Sequence, residues 1–307
     1  MKVFVTGATG YIGGSVATAL MATGHQVIGL IHPDNDLAAV RERGIEPVAG
    51  LLDDSRLLRE VASGVDGVIN TANVDHRGAV DALLEALEGS NKPFIQTSGS
   101  GVIADGAGGE ATDAIYNDDT PLKVLPARAG RAALNEVVLG AASKGIRTAV
   151  ILPTMVYGTG TGLNPASAQV PQMIKAAKKF GEGKYVGRGL NRWSNVHIED
   201  LADLYVAVLE RSEPGRSYYA ENGECSMREI AEAISRLLGF NEAVGSLSIP
   251  EAIEQYGEMM TTLSFGSNSR VRATRAHDEL GWGRKQLSLI DDIERGSYAE
   301  IEAVGTR

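Results

Sequence analysis

The stretch Val3-Phe4-Val5-Thr6-Gly7-Ala8-Thr9-Gly10-Tyr11-Ile12-Gly13 decides the fold. Its apolar start, residues 2–6, reads as a buried strand, and residues 12–23 carry the apolar spacing of a helix. The three glycines therefore fall in a strand-to-helix turn. The first allows the tight turn, the second lets backbone approach a pyrophosphate, and the third permits close helix–strand packing. A helix opening there offers free N–H groups and a positive dipole end to phosphates. A glycine triplet alone says little, but here the flanking strand and helix supply the context it needs. Gly7, Thr9, Gly10, Tyr11, Ile12 and Gly13 are the candidate phosphate-binding residues.

Outward from this turn, short apolar runs alternate with helical patterns. Strands are expected over 26–31, 47–51, 67–71, 93–97 and 147–152, and helices over 37–43, 55–62, 79–87 and 127–142. Such alternation predicts an α/β fold, a doubly wound parallel Rossmann sheet covered on both faces. Right-handed crossovers put every strand's C-terminal end on one edge, where ligands bind. Residues 7–13, 71–73, 97–101 and 153–158 then converge on one crevice. Beyond residue 155 the pattern loosens. Residues 158–168 are rich in Gly, Thr and Asn and read as a substrate-side loop. Residues 200–211 and 226–238 read as helices, the second with a Ser226/Glu229 capping box and Gly239 as its stop. The organisation expected is a Rossmann domain over 1–155, its sheet completed by part of 190–212, and a smaller C-terminal substrate lobe over 156–307.

The composition narrows the partners. The 307 residues carry a formal charge of −10, with no basic run, so nucleic acid and anionic membranes are poor partners. No apolar run approaches the roughly 18 residues of a membrane helix. Met1 to Val5 is too short for a secretory core before the glycine motif begins. The one cysteine, Cys225, fits a reducing compartment and reads as a small buried residue. A cytoplasmic location is the expectation. No His/Cys cluster points to a metal.

A carboxylate about 20 residues past the glycine turn would select NAD through the ribose 2′-hydroxyl. The second strand instead ends in Ile31-His32, and no carboxylate follows until Asp34. The absence permits NADP, with His32 a candidate donor to its phosphate, so NADP(H) is expected over NAD(H).

The chain resembles the extended short-chain dehydrogenase/reductase family, which includes the NAD-dependent epimerase/dehydratase group. Besides Thr6 to Gly13, the resemblance rests on Val156-Tyr157-Gly158, on Asn195-Val196-His197-Ile198-Glu199-Asp200-Leu201-Ala202 and on Glu279-Leu280-Gly281-Trp282. It implies that Leu51 and Leu52 lie near adenine, that Ala72 and Asn73 line the central crevice, and that Pro153 and Val156 approach the nicotinamide. It also implies a Ser/Thr after the fifth strand and a Tyr-x-x-x-Lys on the next helix. Ser100 is the candidate for the first, with Ser98 second. The helix supplies neither Tyr nor Lys. One register puts Arg128 and Ala132 on those positions and the other Ala127 and Arg131. The chain is thus similar to an atypical subgroup in which basic residues replace the motif. Arg131 can bond ribose hydroxyls as Lys would, but an arginine stays charged and shuttles no proton.

Tyr116, Tyr157 and His197 are the alternative proton donors, and Trp193 is a candidate for the substrate pocket together with Ser100 and Tyr157. What the resemblance implies is an oxidoreductase acting on a small carbonyl or imine compound. A redox-neutral epimerase, isomerase or cyclase with bound nucleotide, and a non-catalytic NAD(P)-dependent sensor, stay open. So does the choice of monomer or homodimer, since helices 79–90 and 127–144 resemble those of the family's dimer interface.

Overall fold

A computed structural model describes residues 1–305. Seven parallel strands form the main sheet in the order β3-β2-β1-β4-β5-β6-β10. They are β1 (Lys2–Thr6), β2 (Gln26–Ile31), β3 (Glu46–Ala49), β4 (Gly67–Asn70), β5 (Pro93–Thr97), β6 (Arg147–Pro153) and β10 (Arg216–Ala220). Val3, Phe4 and Val5 are fully buried, as a central strand covered on both faces requires. The covering helices include α1 (Tyr11–Ala22), α2 (Leu37–Glu42), α3 (Ser55–Ser63), α4 (Arg77–Leu87), α5 (Ala129–Gly140) and α7 (Ile198–Arg211). On one flank α3 packs on α4, and on another α1 packs on α7.

The doubly wound sheet agrees with the sequence reading, but the strand that completes it does not. The far edge is β10, outside 190–212, paired with β6 so that Tyr219 lies opposite Leu152. The strand inside 190–212, β9 (Arg192–His197), belongs to a second, three-stranded sheet. It runs parallel to β7 (Met155–Tyr157) and antiparallel to β11 (Gly223–Ser226). What returns to the main sheet from this region is the helix α7, which covers α1 and delivers the chain to the edge as β10.

The remaining elements, α6 (Gln169–Phe180), β8 (Gly183–Val186), α8 (Met227–Leu237) and β12 (Val244–Leu247), surround a second core built on Met155, Tyr157, Trp193, Met227 and Phe265. Neighbouring residues at the crossover divide between the two cores, Met155 in the second and Val156 in the first. The α8 capping box of Ser226 and Glu229 forms as its spacing predicts. Among the described residues, no helix is long and apolar enough to cross a membrane.

Candidate active site

The glycine turn is built by close approach. Gly7 has φ +72°, a left-handed conformation, and a Cβ there would stand 3.0 Å from the Ala72 backbone. At Gly13 a Cβ would lie 2.2 Å from the Gly7 carbonyl oxygen and 2.3 Å from Thr71 Oγ1, so α1 can sit this near the turn only with glycine. Gly10 is the N-cap of α1 and has ordinary extended backbone, and no side chain caps this helix. Side chains of Asp54, His76, His197 and Ser226 cap α3, α4, α7 and α8, whereas α5 and α6, like α1, have no side-chain cap. The first-turn amides of α1, at Tyr11, Ile12 and Gly13, are thus left for an outside acceptor. A dinucleotide pyrophosphate fits them. The Tyr11 ring turns away from the turn, and its hydroxyl donates to the Gly158 carbonyl at 2.8 Å. Burial pushes its pKa well above the ordinary tyrosine range. The loop 158–168 packs back on α1, where the Thr161 amide donates to Ser15 Oγ at 3.2 Å.

At the end of β2 the His32 side chain is 56% exposed. Its Nδ1 lies 3.3 Å from the Asp34 amide and 3.4 Å from the Asp34 carboxylate. Asn35 donates to Thr9 Oγ1 at 3.4 Å, so the loop after β2 leans on the glycine turn. Leu51 is exposed and Leu52 packs partly against the core. Ala72 touches Gly7, and Asn73 accepts from the Asp75 amide at 3.1 Å.

The end of β5 faces the start of α5. Ser100, the first choice for the Ser/Thr position, is fully buried, and its hydroxyl is paired with Ser269 Oγ at 2.8 Å. That pairing removes it from the crevice and corrects the expectation that it contacts substrate. Ser98, the second choice, is 8% exposed and its shielded hydroxyl has no hydrogen-bond partner. A buried hydroxyl left unpaired costs about 1–3 kcal/mol, which a ligand oxygen would relieve. Arg131 approaches this turn. Its Nη1 stands 3.9 Å from where a Gly99 Cβ would be, while Nε and Nη2 grip Asp75 at 2.9 and 2.6 Å. The Arg131 hydrogen bond holds the Asp75 carboxyl below the usual range. Arg128 Nη2 stands 3.9 Å from where a Gly101 Cβ would be, beside the Trp193 ring edge. The structure thus brings Arg131 to Gly99 and Arg128 to Gly101, on the turn that follows Ser98. Asp75 was not anticipated, because the link to Arg131 spans 56 positions and nothing local announces it.

Tyr157 is a second correction. It is fully buried in the C-terminal core, its hydroxyl donates to the Leu287 carbonyl at 2.6 Å, and its ring packs edge-on against His197. In this structure its hydroxyl is committed to a main-chain carbonyl and its ring to the second core, away from the expected place at the crevice. His197 caps α7 by accepting the Glu199 amide at Nδ1, 3.2 Å away, and burial lowers its pKa. Trp193 is 5% exposed, with Nε1 donating to the Ser267 carbonyl at 2.7 Å, so its ring is held in the core and only an edge reaches Gly101. Pro153 ends β6 and Val156 is buried. Tyr116 differs from the other tyrosine candidate. It is half-buried and lines a cavity of about 230 Å³ with Ile103, Lys123, Leu125 and Asn268. Burial pushes the Cys225 thiol up to about 11. Among the described residues, no group of three or more His, Cys, Asp or Glu side chains is arranged to hold a metal.

This glycine turn, doubly wound sheet and crevice have the form of a dinucleotide-binding fold. The model of the NAD dependent epimerase/dehydratase family matches residues 3–220, and the chain belongs to that family. An uncharacterized protein of Saccharomyces cerevisiae is 34% identical over 97% of this chain and 99% of its own. The 4-hydroxy-2-methyl-3-oxo-4-farnesyl-3,4-dihydroquinoline-1-oxide ketoreductase of Stigmatella aurantiaca is 26% identical over 82% of this chain and 78% of its own. Among solved structures, dTDP-glucose 4,6-dehydratase of Bacillus anthracis in complex with NAD has the same fold. Its TM-score is 0.77 at 18% identity, covering 98% of this chain and 97% of that one. The protein is an NAD(P)-dependent enzyme of the oxidoreductase or epimerase kind.

Proposed function

We propose that the protein is an NADP(H)-dependent oxidoreductase that reduces a small carbonyl or imine compound. The observation that carries this reading is the uncapped start of α1 against a turn that only glycine fits at position 13. The ketoreductase among its relatives agrees with the reaction type.

In this reading the amides of Tyr11, Ile12 and Gly13 hold the pyrophosphate. His32, standing where an NAD-selecting carboxylate would be, takes the 2′-phosphate. Leu51 and Leu52 flank the adenine, and Ala72 and Asn73 line the crevice between the phosphates and Arg131. Pro153 and Val156 support the nicotinamide end. The bound nicotinamide supplies the hydride.

Arg131, fixed in orientation by its two bonds to Asp75, binds the ribose hydroxyls and keeps a permanent positive charge beside Gly99. Ser98 donates its unpaired hydroxyl to the substrate oxygen or nitrogen, orienting it for hydride arrival. The motif positions at the start of α5 offer no proton donor, since arginine does not release its proton near neutral pH. The proton therefore comes from Tyr116 or from water in the cavity that Tyr116 lines.

Loss of NADPH absorbance across a panel of aldehydes, ketones and cyclic imines tests the reading. Substrate-dependent loss, abolished by Ser98→Ala with NADPH affinity retained, supports it. Turnover of a substrate with no net nicotinamide change would replace it with a redox-neutral reaction.

A further inference from the structure

The structure points to an anion-binding subsite at Arg128, and we propose that the substrate of the reaction above is an oxo acid whose carboxylate this residue grips. The inference rests on the carbonyl reading and adds the chemical class of the substrate.

The first observation is an unpaired guanidinium. Arg128 is half-buried, its Nε is shielded from solvent, and its side chain makes no hydrogen bond or ion pair among the described residues. Most arginines in this chain have carboxylate partners. Glu224 alone takes Arg192, Arg270 and Arg272. Arg128 and Arg131 sit one turn apart, but the direct ion pair of Asp75 is with Arg131.

The second observation is the surrounding field. Burial and the neighbouring Arg131 charge press the Arg128 pKa downward, against a smaller opposing pull from Asp75. The residue is also the N-cap of α5, whose first turn contains no acidic side chain, so the helix dipole opposes a cation there. A bound anion would offset the Arg131 repulsion and the helix end, and would give the half-buried guanidinium a partner.

The third is space and position. A cavity of about 430 Å³ is lined by Arg77, Arg128, Arg131, Asp75 and the α5 residues Gly130 and Leu134. Arg77 is ion-paired to Asp81 and Arg131 to Asp75, which leaves Arg128 as the guanidinium of this cavity without a direct carboxylate contact. The Arg128 guanidinium also borders Gly101, three residues past Ser98. Arg131, which lines the same cavity, borders Gly99, so in the proposal a carboxylate on Arg128 directs the carbonyl of the same molecule toward the turn that carries Ser98. Planar, two-point recognition of carboxylate is what a guanidinium does best. The carboxylate is unchanged in the reaction; only the carbonyl gains hydride and proton while the nicotinamide is oxidised.

The test uses the full chain with 3-oxobutanoate and its methyl ester, which share a carbonyl and differ in the anion. Calorimetry measures binding of each to the NADP-loaded protein, and a separate titration measures NADPH. The wild type should bind the acid about tenfold to hundredfold more tightly than the ester, the value of a charge-assisted pair. Arg128→Gln should erase that difference while NADPH affinity stays within about twofold, less than half a kcal/mol. Arg128→Lys, which keeps the charge and loses the fork, should restore part of it and covers the case in which the glutamine variant does not fold. Equal binding of acid and ester by the wild type, or discrimination that survives both substitutions, overturns the proposal. NADPH binding with no preference for the acid would sink only this inference. Arg128-dependent acid binding without NADPH binding would sink the nicotinamide reading and keep the anion site.

Discussion

Adding one methyl group at Gly13 separates the architecture of the turn from its ligand chemistry. A Cβ there meets the Gly7 carbonyl oxygen at 2.2 Å and Thr71 Oγ1 at 2.3 Å. Thr71 cannot swing aside freely, because its hydroxyl donates to the Thr6 carbonyl at 2.6 Å. Relief requires α1 to move off the sheet and disturb the packing of Val16 and Leu20, both fully buried. Overpacking of this kind costs about 1–3 kcal/mol, and two contacts so far inside van der Waals distance put Gly13→Ala at the upper end. For a chain of this length that lowers Tm by about 5 °C.

Gly10→Ala is the control. Its Cβ meets only the Gly7 oxygen, at 3.2 Å, and its φ of −78° suits alanine. The fold should hold to within about 1 kcal/mol, the entropy gained in the unfolded chain offsetting the tight contact. Nucleotide affinity should still fall by roughly tenfold or more, because the methyl group stands where the pyrophosphate approaches. Thermal melts and calorimetric titration of both variants read the two effects separately. If Gly13→Ala melts with the wild type, or Gly10→Ala binds nucleotide as the wild type does, the account of this turn is wrong.

Three further outcomes are expected. Arg131→Ala should weaken NADPH binding by about tenfold, the loss of one charge-assisted contact, and unchanged affinity by calorimetry would remove Arg131 from the ribose site. Burial lowers the His197 pKa; a depressed pKa gives stability that is full above about 6.5, the unfolded value, and is lost as pH falls through the folded one. Wild-type Tm should therefore drop between pH 7 and 5, and His197→Asn, which retains a capping acceptor, should flatten that slope; an identical slope in both would assign the titration elsewhere. Cys225, half-buried with its thiol pushed up to about 11, should react with a thiol reagent at pH 7.5 far more slowly than a free cysteine, and rapid labelling would contradict the raised pKa.

The sequence carried the sheet because its signal is local. Each of the strands β1 to β6 is a short apolar run between turn residues, and the glycine spacing at 7, 10 and 13 names its own geometry. The last strand was not legible. Arg216-Ser217-Tyr218-Tyr219-Ala220 lacks an apolar run, and its pairing with β6 is settled by where α7 delivers the chain. Within the candidate site, Arg128 and Arg131 could be read from the helix register. The choice between Ser98 and Ser100 could not, because it turns on Ser269, 169 positions away. Tyr157 looked available by its place beside a strand end, yet its hydroxyl is fixed by a carbonyl 130 positions on. Contacts between distant segments decide which side chains are free, and no periodicity records them.

The most direct test of the central claim is calorimetric titration of the full chain with NADPH, NADP, NADH and NAD, repeated on His32→Asp. The account predicts micromolar or tighter binding of NADPH, weaker binding of NADH, and a shift toward NADH in the variant, since a carboxylate repels the 2′-phosphate and accepts from a 2′-hydroxyl. Binding of none of the four nucleotides would contradict it.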